Sequence, residues 1–296
     1  MTRVAFLGLG AIGRPMAGHL APPRFDLVVW NRTAGKARRF AEETGARVAA
    51  TPADAARGAA VVMTCMPTSR EVESLLAGDG GLLAGLSRDA VLVDCTSGDP
   101  ATSRRIAERL AAAGVGFIDA PVSGGVSGAE RGALTVMCGG DPATLDRVRP
   151  VIAAFGSTIV HCGDVGTGHA LKAVNNALLA VHILSLAEGL AALKRAGVSA
   201  RAALDVINAS SGRSNTSQNL FPERVVSRAF PRTFRLALLD KDVGIAAAVA
   251  REQRIPSPVL QLTADLMRAA HSELGEEADH VEAVKVLERK AGVEIT

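Results

Sequence analysis

A single lysine followed by two adjacent asparagines lies in the middle of the chain, in the stretch HCGDVGTGHALKAVNN. Lys172 and Asn176 are four residues apart and share one face of a helix, with Asn175 as their neighbour. In an apolar setting near a helix N-terminus, the charged form of a lysine is disfavoured, which suits a general acid–base. The pattern predicts that Lys172 transfers a proton and that the amides orient it and bind substrate. A surface lysine at a helix start is the alternative.

A glycine-rich hexapeptide lies near the first residue of the sequence. It follows a strand-like run, VAFL, and precedes a helical run, RPMAGHL, which is the context of a dinucleotide-binding loop. Its first glycine would make a tight turn, its second would admit a pyrophosphate, and its third would let the helix pack on the strand. A glycine turn in an unliganded domain is the alternative. The candidate cofactor-binding residues here are Gly8, Leu9, Gly10, Ala11, Ile12 and Gly13.

The end of the second predicted strand indicates which dinucleotide is bound. An acidic residue there would bind the ribose 2′-hydroxyl of NAD, but the sequence has Asn31, Arg32 and Thr33 instead. Arg32 can stack on adenine and pair with a 2′-phosphate, with Asn31 and Thr33 as neutral donors. We predict NADP(H) as the preferred cofactor and NAD(H) as the second option. In the alternative reading, Arg32 is a solvated turn residue.

A second loop, DAPVSGG at residues 119–125, follows another predicted strand at its carboxyl end, where ligands bind in open α/β sheets. Ser123 offers a hydroxyl group. The successive backbone N–H groups of Gly124 and Gly125 can form an anion-binding concavity. The loop therefore predicts a site for a small substrate that bears a carboxylate, and a plain connection between strands is the alternative.

Two patterns of secondary structure must position these residues. In the first half, short β-rich runs alternate with helical segments, which is typical of a Rossmann-type α/β domain with a doubly wound, mostly parallel sheet. After residue 163 the sequence is almost entirely helical. We predict a dinucleotide-binding domain over 1–163 and an all-α substrate and dimerisation domain over 164–296. A long helix over 170–193, apolar enough to be buried all round, would join them.

Composition excludes several classes of function for the 296-residue chain. The 33 basic and 30 acidic residues are well mixed and give a net charge of only +3, and aromatic residues make up 3% with no tyrosine, so neither nucleic acid nor a membrane is an expected partner. The four cysteines are far apart without a CxxC pair, and the histidines show no ligand spacing. We therefore expect a cytoplasmic protein without a metal site.

The motifs together resemble the β-hydroxyacid dehydrogenase family, typified by 3-hydroxyisobutyrate dehydrogenases. The resemblance rests on GLGAIGRPMAGHL near the first residue, on DAPVSGG, on the GxxGxGxxxKxxNN pattern that ends at Asn176, and on Lys241-Asp242 with Ala246 four residues later. It covers essentially the whole chain. In that family, hydride passes between NAD(P)(H) and a small 3-hydroxy acid or its semialdehyde.

The resemblance also implies roles for individual residues. Lys172 would be the catalytic acid–base, and Lys241 would lie near the nicotinamide, although an ordinary charge pair between Lys241 and Asp242 is an equal alternative. The implied substrate-binding residues are Ser123, Gly124, Gly125 and Asn176, with Asn175 as their neighbour. The further implied cofactor-binding residues are Met66, Pro67 and Thr96. Members of the family are homodimers or homotetramers, and the same is expected here.

Three other classes and the choice of substrate stay open at this point. An imine reductase and a non-catalytic NADP-binding module would both be expected to lack Lys172, and 6-phosphogluconate dehydrogenases have a much longer helical domain. The segment SSGRS at residues 210–214 resembles 3-hydroxyisobutyrate dehydrogenases, whereas NRT after the second strand resembles NADPH-dependent glyoxylate and succinic semialdehyde reductases of the same family. Arg213 is either a ligand for a distal anionic group or a surface turn residue.

Overall fold

The computed structural model describes all residues, 1–296, and the chain separates into two compact units. The first unit is Met1–Lys172 and the second is Ala173–Thr296. The sequence predicts this boundary at residue 163, nine residues earlier. The division falls within the long helix Thr167–Arg195, which begins in the first unit and continues into the second.

The first unit is built on one nine-stranded sheet with the order β3-β2-β1-β4-β5-β6-β8-β7, and β9 pairs with β8. All pairs are parallel except those of β8 with β6 and β7. The strand order reverses at β1, which opens a crevice at the carboxyl ends of β1 and β4. The predicted doubly wound, mostly parallel sheet is confirmed. The strands are Arg3–Leu7 (β1), Asp26–Trp30 (β2), Arg47–Val48 (β3), Val61–Thr64 (β4), Val91–Asp94 (β5), Gly116–Asp119 (β6), Val122–Ser123 (β7), Leu134–Gly139 (β8) and Gly156–Gly163 (β9).

Apolar residues on both faces of each central strand hold this sheet between two layers. Along β1, Val4 and Phe6 belong to one buried cluster, whereas Ala5 and Leu7 belong to the other. Because side chains alternate along a strand, a continuous apolar run fits a strand that is covered on both faces. Eight helices of this unit are Gly13–Gly18 (α1), Ala34–Thr44 (α2), Pro52–Ala56 (α3), Ser69–Ser74 (α4), Leu82–Gly85 (α5), Pro100–Ala112 (α6), Gly125–Glu130 (α7) and Pro142–Ile152 (α8).

Three of these helices begin at a proline. Pro52, Pro100 and Pro142 each occupy the first helical position. The residue before each proline (Thr51, Asp99 or Asp141) accepts a hydrogen bond from a backbone N–H of the first turn through its side chain. Proline removes one unsatisfied N–H and the cap satisfies another, so local sequence alone fixes these three helix starts.

The second unit is helical, and the long helix Thr167–Arg195 (α9) extends into it. One face of α9 contributes Ala177, Ala180 and Ile183 to the core of this unit. The prediction that α9 is buried all round is wrong for this chain, because Leu178 and Leu193 are exposed. The other elements are Ala200–Asn208 (α10), a π-helical segment Thr216–Val226, Leu236–Glu252 (α11), Pro258–Leu274 (α12), a 3₁₀ turn His280–Glu282 and Ala283–Ala291 (α13).

By length and composition alone, α9 is apolar enough to cross a bilayer, with a mean hydropathy of 1.6 over its most apolar window. The core helix of a soluble protein meets the same two criteria. The apolar content of α9 is therefore weak evidence for a membrane span.

A buried carboxylate organises the segment before α11. Asp279 accepts hydrogen bonds from the backbone N–H groups of Thr233 (2.7 Å), Phe234 (2.9 Å) and Val281 (3.1 Å). The first two bonds are to Oδ2, and Oδ1, which accepts from Val281, also lies 2.9 Å from Nδ1 of His280. Burial alone would raise the pKa of Asp279, but the hydrogen bond and charge of His280 and the backbone donors outweigh it and hold that pKa well below its ordinary value.

Asp279→Ala is expected to lower the free energy of unfolding by about 3 kcal/mol, because several buried donors lose their acceptor at once. In the wild type, a carboxyl with a depressed folded-state pKa stabilises the fold fully above its unfolded-state pKa of about 4 and loses that contribution as the pH falls further. Urea unfolding at pH 7 and at pH 3 measures both effects, with the exposed Glu277→Ala as the control. Equal stability of Asp279→Ala and wild type at pH 7 would contradict this role.

Candidate active site

The glycine loop after β1 is held tightly at two of its three glycines. Gly8 has φ +103°, and a Cβ atom there would lie 2.3 Å from the carbonyl oxygen of Cys65. A Cβ on Gly13 would lie 2.0 Å from the carbonyl oxygen of Gly8. Gly10 is exposed, and a Cβ there would meet no atom within 4 Å. The loop is therefore packed against the sheet at Gly8 and Gly13 and open at Gly10, where a pyrophosphate needs to approach.

The residues after β2 contact this loop. Oδ1 of Asn31 accepts a hydrogen bond from the backbone N–H of Leu9 at 2.9 Å, and Nδ2 donates to the carbonyl of Thr33 at 3.0 Å. The sequence suggests Asn31 as a donor to a ligand, but its amide ties the glycine loop to the β2 turn. Arg32 and Thr33 are exposed beside it.

Three further candidate cofactor residues, Met66, Pro67 and Thr96, follow the ends of the neighbouring strands β4 and β5. The hydroxyl of Thr96 accepts a hydrogen bond from the backbone N–H of Met66 at 3.0 Å, and Thr96 N–H donates to Oδ1 of Asp94 at 3.1 Å. Thr96 is buried, Met66 is half-buried and Pro67 is exposed. Because β1, β4 and β5 are adjacent in the sheet, the ends of these strands lie along one edge with the glycine loop.

Ser123, Gly124 and Gly125 form the turn between β7 and α7. Ser123 pairs with Thr135 of β8, so the predicted loop contains a two-residue strand. Gly124 and Gly125 have φ values of +132° and +63°, which a residue with a side chain rarely adopts. Both are exposed, so their backbone remains accessible to an anion.

The start of α9, which carries Lys172, is fixed by a carboxylate from another element. Asp119, at the end of β6, accepts hydrogen bonds from the backbone N–H groups of Gly166 (2.7 Å) and His169 (2.9 Å). The close packing of this turn also needs Gly168, where a Cβ would lie 2.3 Å from the carbonyl oxygen of Met137. Burial raises the pKa of Asp119, and the charge of His169 and the two N–H donors oppose that rise.

Lys172 follows one turn after His169 and is 9% exposed. Lysine is almost never buried to this extent without a polar or charged partner. Because the first turn of this helix is anchored to the sheet, the backbone position from which the Lys172 side chain extends is fixed. The sequence identified Asp119 only as part of a motif, and its capping of α9 could not be found because the bonded groups are 47 and 50 residues away.

In the second unit, two candidate residues contact one buried carboxylate. Nδ2 of Asn176 donates to Oδ2 of Asp242 at 2.6 Å, and Nζ of Lys241 lies 2.8 Å from Oδ1 of the same residue. Asn175, which is exposed, donates to Oδ1 of Asn176 at 3.2 Å. Asp242 is 2% exposed, so Lys241 pairs with a buried carboxylate rather than with a solvated one. The sequence named Asp242 beside Lys241 but could not pair it with Asn176, which lies 66 residues earlier.

Comparison with known proteins agrees with this arrangement. Residues 3–163 match the family described as the NAD-binding domain of 6-phosphogluconate dehydrogenase, and residues 166–287 match the NAD-binding domain of NADP-dependent 3-hydroxyisobutyrate dehydrogenase. An uncharacterized oxidoreductase of Shewanella frigidimarina is 39% identical over 88% of this chain and 90% of its own length. A 3-hydroxyisobutyrate dehydrogenase of Pseudomonas aeruginosa is 37% identical over 90% and 91%.

A solved structure of 3-hydroxyisobutyrate dehydrogenase from Mycobacterium tuberculosis with L-serine superimposes with a TM-score of 0.89. It covers 97% of this chain and 99% of its own, at 29% identity. The two family matches and the named hydroxy-acid dehydrogenases among the relatives identify the chain as an NAD(P)-dependent dehydrogenase. The chain belongs to the β-hydroxyacid dehydrogenase family, as its motifs predict, and it is an oxidoreductase of hydroxy acids.

Proposed function

We propose that this enzyme interconverts a small 3-hydroxy acid and the corresponding semialdehyde, with NADP(H) as its preferred cofactor and Lys172 as its general acid–base. The observation that carries the proposal is a 9% exposed lysine on a helix whose first turn is capped by the buried carboxylate of Asp119. A buried amine that is held in one place suits proton transfer better than a mobile surface lysine.

The proton transfer follows from the chemistry of the amine. A bound nicotinamide supplies hydride to the carbonyl carbon in reduction and accepts it in oxidation. During reduction, Nζ of Lys172 donates a proton to the oxygen that develops negative charge. During oxidation, the neutral amine removes the proton from the substrate hydroxyl. Lys172 thereby stabilises the alkoxide in both directions.

The cofactor is assigned to the first unit. Gly8 and Gly13 shape the loop, and the open backbone at Gly10 fits a pyrophosphate. Thr96, which holds the backbone of Met66, is expected to shape the cofactor's surroundings together with Pro67. Lys241 is assigned to the nicotinamide end by family resemblance, and its contact with buried Asp242 restricts its position.

The substrate carboxylate is assigned to Ser123, Gly124 and Gly125, whose accessible backbone suits an anion. Asn176 is assigned to the substrate as well, because the hydrogen bond from its Nδ2 to Asp242 fixes the orientation of the amide. Asn175 supports Asn176 through its own hydrogen bond.

Arg32→Ala is expected to raise the KM for NADPH about 10- to 100-fold and to leave the KM for NADH within about twofold, because only the 2′-phosphate loses a charge-assisted bond. The exposed position of Arg32 leaves its guanidinium available for that phosphate. Steady-state kinetics with both cofactors make the measurement, and Arg38→Ala on the exposed side of α2 is the control. A wild-type enzyme that prefers NADH would refute the NADP assignment.

Two classes of substrate fit the family. One is the 3-hydroxy acids, as in 3-hydroxyisobutyrate dehydrogenases, and the other is short semialdehydes or glyoxylate. We favour the 3-hydroxy acids because the related structure named above contains L-serine, itself a 3-hydroxy acid. A panel of 3-hydroxyisobutyrate, L-serine, succinic semialdehyde and glyoxylate, assayed with both cofactors, tests this choice. Higher kcat/KM for the aldehydes of the reductase class would establish the alternative. Arg213 is exposed in a turn, and Arg213→Ala would change KM only if it binds a distal anionic group.

We propose that the enzyme is a homodimer or homotetramer and acts in the cytoplasm. Leu262 and Val259 on α12 are 61% and 60% exposed, and Leu266 continues the same helix face. Exposed apolar residues in such a stripe are typical of a surface covered by another subunit. Light scattering coupled to size-exclusion chromatography tests the assembly, and a monomer at micromolar concentration would refute it.

A further inference from the structure

Two buried ionisable side chains of the first unit have no role in the function proposed above. Asp94 ends β5 and His169 lies in the first turn of α9, and both are completely buried. Nε2 of His169 faces Oδ2 of Asp94 at 4.0 Å, and neither atom has a hydrogen-bond partner. Buried polar atoms are nearly always paired, so this contact calls for a physical explanation.

The other ring nitrogen of His169 contacts a serine hydroxyl. Nδ1 lies 2.6 Å from the hydroxyl oxygen of Ser103, which also lies 3.0 Å from the carbonyl oxygen of Asp99. The one proton of that hydroxyl can go to the carbonyl or to Nδ1, so this contact fits a ring protonated at Nδ1 or at Nε2. The surroundings of Nε2 therefore decide between the two forms.

A bare Nε2 would face a second acceptor. Oδ1 of Asp94 already accepts hydrogen bonds from the hydroxyl of Thr64 at 2.8 Å and from the N–H of Thr96 at 3.1 Å. Its Oδ2 and an unprotonated Nε2 would be two buried lone pairs in opposition, which is unfavourable for both. A proton on Nε2 turns this opposition into a donor and an acceptor, and a shift of about 1 Å brings them to hydrogen-bond distance.

Two carboxylates lie close to His169. Asp94 on β5 and Asp119 on β6 both face it, and Asp119 accepts its backbone N–H. The thiols near Asp94 are neutral, since burial, with a smaller contribution from Asp94, raises the pKa of Cys65 to about 12 and holds that of Cys95 well above its ordinary value. Arg104 on α6 lies beside Gly166, close to the Asp119 end of the cluster.

We propose that Nε2 of His169 carries a proton and donates it to Oδ2 of Asp94 in a buried hydrogen bond, and that this contact makes His169 a positioning residue for Lys172. The second part rests on the proposed role of Lys172. Asp119 holds the backbone of the first turn of α9, and Asp94 holds its side chain through His169. Lys172 begins one turn later, so a change in this turn displaces Nζ. Asp94 also fixes Thr96, so one carboxylate orients both a candidate cofactor residue and the helix of the acid–base.

Nitrogen NMR of the complete enzyme with ¹⁵N-labelled histidine tests the protonation directly. His169 is assigned from the signals lost in His169→Gln, and exposed His161 on β9 serves as the internal comparison. We expect Nε2 of His169 to be of the protonated type. A bare Nε2, as a bridging water or a protonated Asp94 would leave, would overturn the hydrogen bond to Asp94.

Two variants, each of which retains a hydrogen-bond donor near one of the two ring nitrogens, test the positioning role. Glutamine can place its amide near the Nε2 position and donate to Asp94, whereas asparagine can donate only to Ser103 from the Nδ1 position. We expect His169→Gln to keep kcat within about threefold and His169→Asn to lower kcat about tenfold with an unchanged KM for NADPH, because a displaced acid–base slows only the chemical step. Equal kcat in both variants would overturn the positioning role.

The NMR result for His169 is independent of whether Lys172 is the acid–base, whereas the positioning role depends on it. If Lys172→Ala keeps full turnover, the proposed function fails while the NMR result for His169 still stands or falls on its own. His161→Asn is the matched control for both experiments, because its Nε2 contacts only the carbonyl of Gly140. Neither activity nor the His169 signals are expected to change in that control.

Discussion

Lys172→Ala is expected to lower kcat about 10³-fold, because it removes the only group assigned to proton transfer and general acid–base catalysis contributes about 10²- to 10⁴-fold. The Kd for NADPH is expected to stay within about twofold of the wild-type value, since the cofactor is assigned to other residues. Trp30 is the only tryptophan of the chain and ends β2 beside Asn31. Quenching of its fluorescence by NADPH therefore measures the Kd, and stopped-flow absorbance measures hydride transfer.

Two control variants isolate the acid–base role of Lys172. Lys172→Arg keeps the positive charge but cannot release a proton near neutral pH, so it is expected to lose most of the activity as well. Lys290→Ala removes an exposed lysine of α13 and is expected to have no effect. Retention of turnover in Lys172→Ala together with a large rise in the Kd for NADPH would assign Lys172 to cofactor binding instead.

Gly10→Ala is expected to raise the Kd for NADPH about 10- to 100-fold while the free energy of unfolding changes by less than about 1 kcal/mol. A Cβ there meets no protein atom, but it would occupy the space that a pyrophosphate needs. Fluorescence titration and urea unfolding make the two measurements.

Gly8→Ala is the matched comparison for Gly10→Ala. Its Cβ would overlap the carbonyl of Cys65 at 2.3 Å, and its φ of +103° is unfavourable for alanine. We expect Gly8→Ala to lower the free energy of unfolding by about 3 kcal/mol even without cofactor. If Gly10→Ala loses as much stability as Gly8→Ala and binds NADPH normally, the open position at Gly10 is not where the cofactor approaches.

Much of the fold follows from local patterns in the sequence. The main parallel strands are continuous apolar runs, and the proline starts at residues 52, 100 and 142 carry their own caps. Strands β3, β7 and β9 were not predicted, because β3 and β7 have only two residues each and most residues of β9 are at least partly exposed. Such strands exist through pairing with a neighbour, and no local apolar pattern marks them.

The residues of the candidate site also divide into those that local motifs predict and those that only the folded chain shows. Glycines, Lys172 and the asparagines were predicted because their motifs are contiguous. The supporting partners Asp94, Asp119 and Asp242 bond to groups that are distant in sequence, so their roles appear only in the folded chain. Asn31, which the sequence suggests only as a ligand contact, also supports the backbone of Leu9 through its side chain. Sequence indicates which chemistry is present, and the structure indicates what holds it in place.

The cap on α9 has a consequence for the order of events during folding. A helix commonly receives its cap from the adjacent residue, so its first turn can form early and alone. The first turn of α9 receives its acceptor from Asp119, 47 residues before Gly166, and that carboxylate is in place only once β6 has joined the sheet. Closing so long a loop is slow compared with forming a local turn. We therefore expect the start of α9 to become ordered late, so that Lys172 is placed only after β6 has joined the sheet.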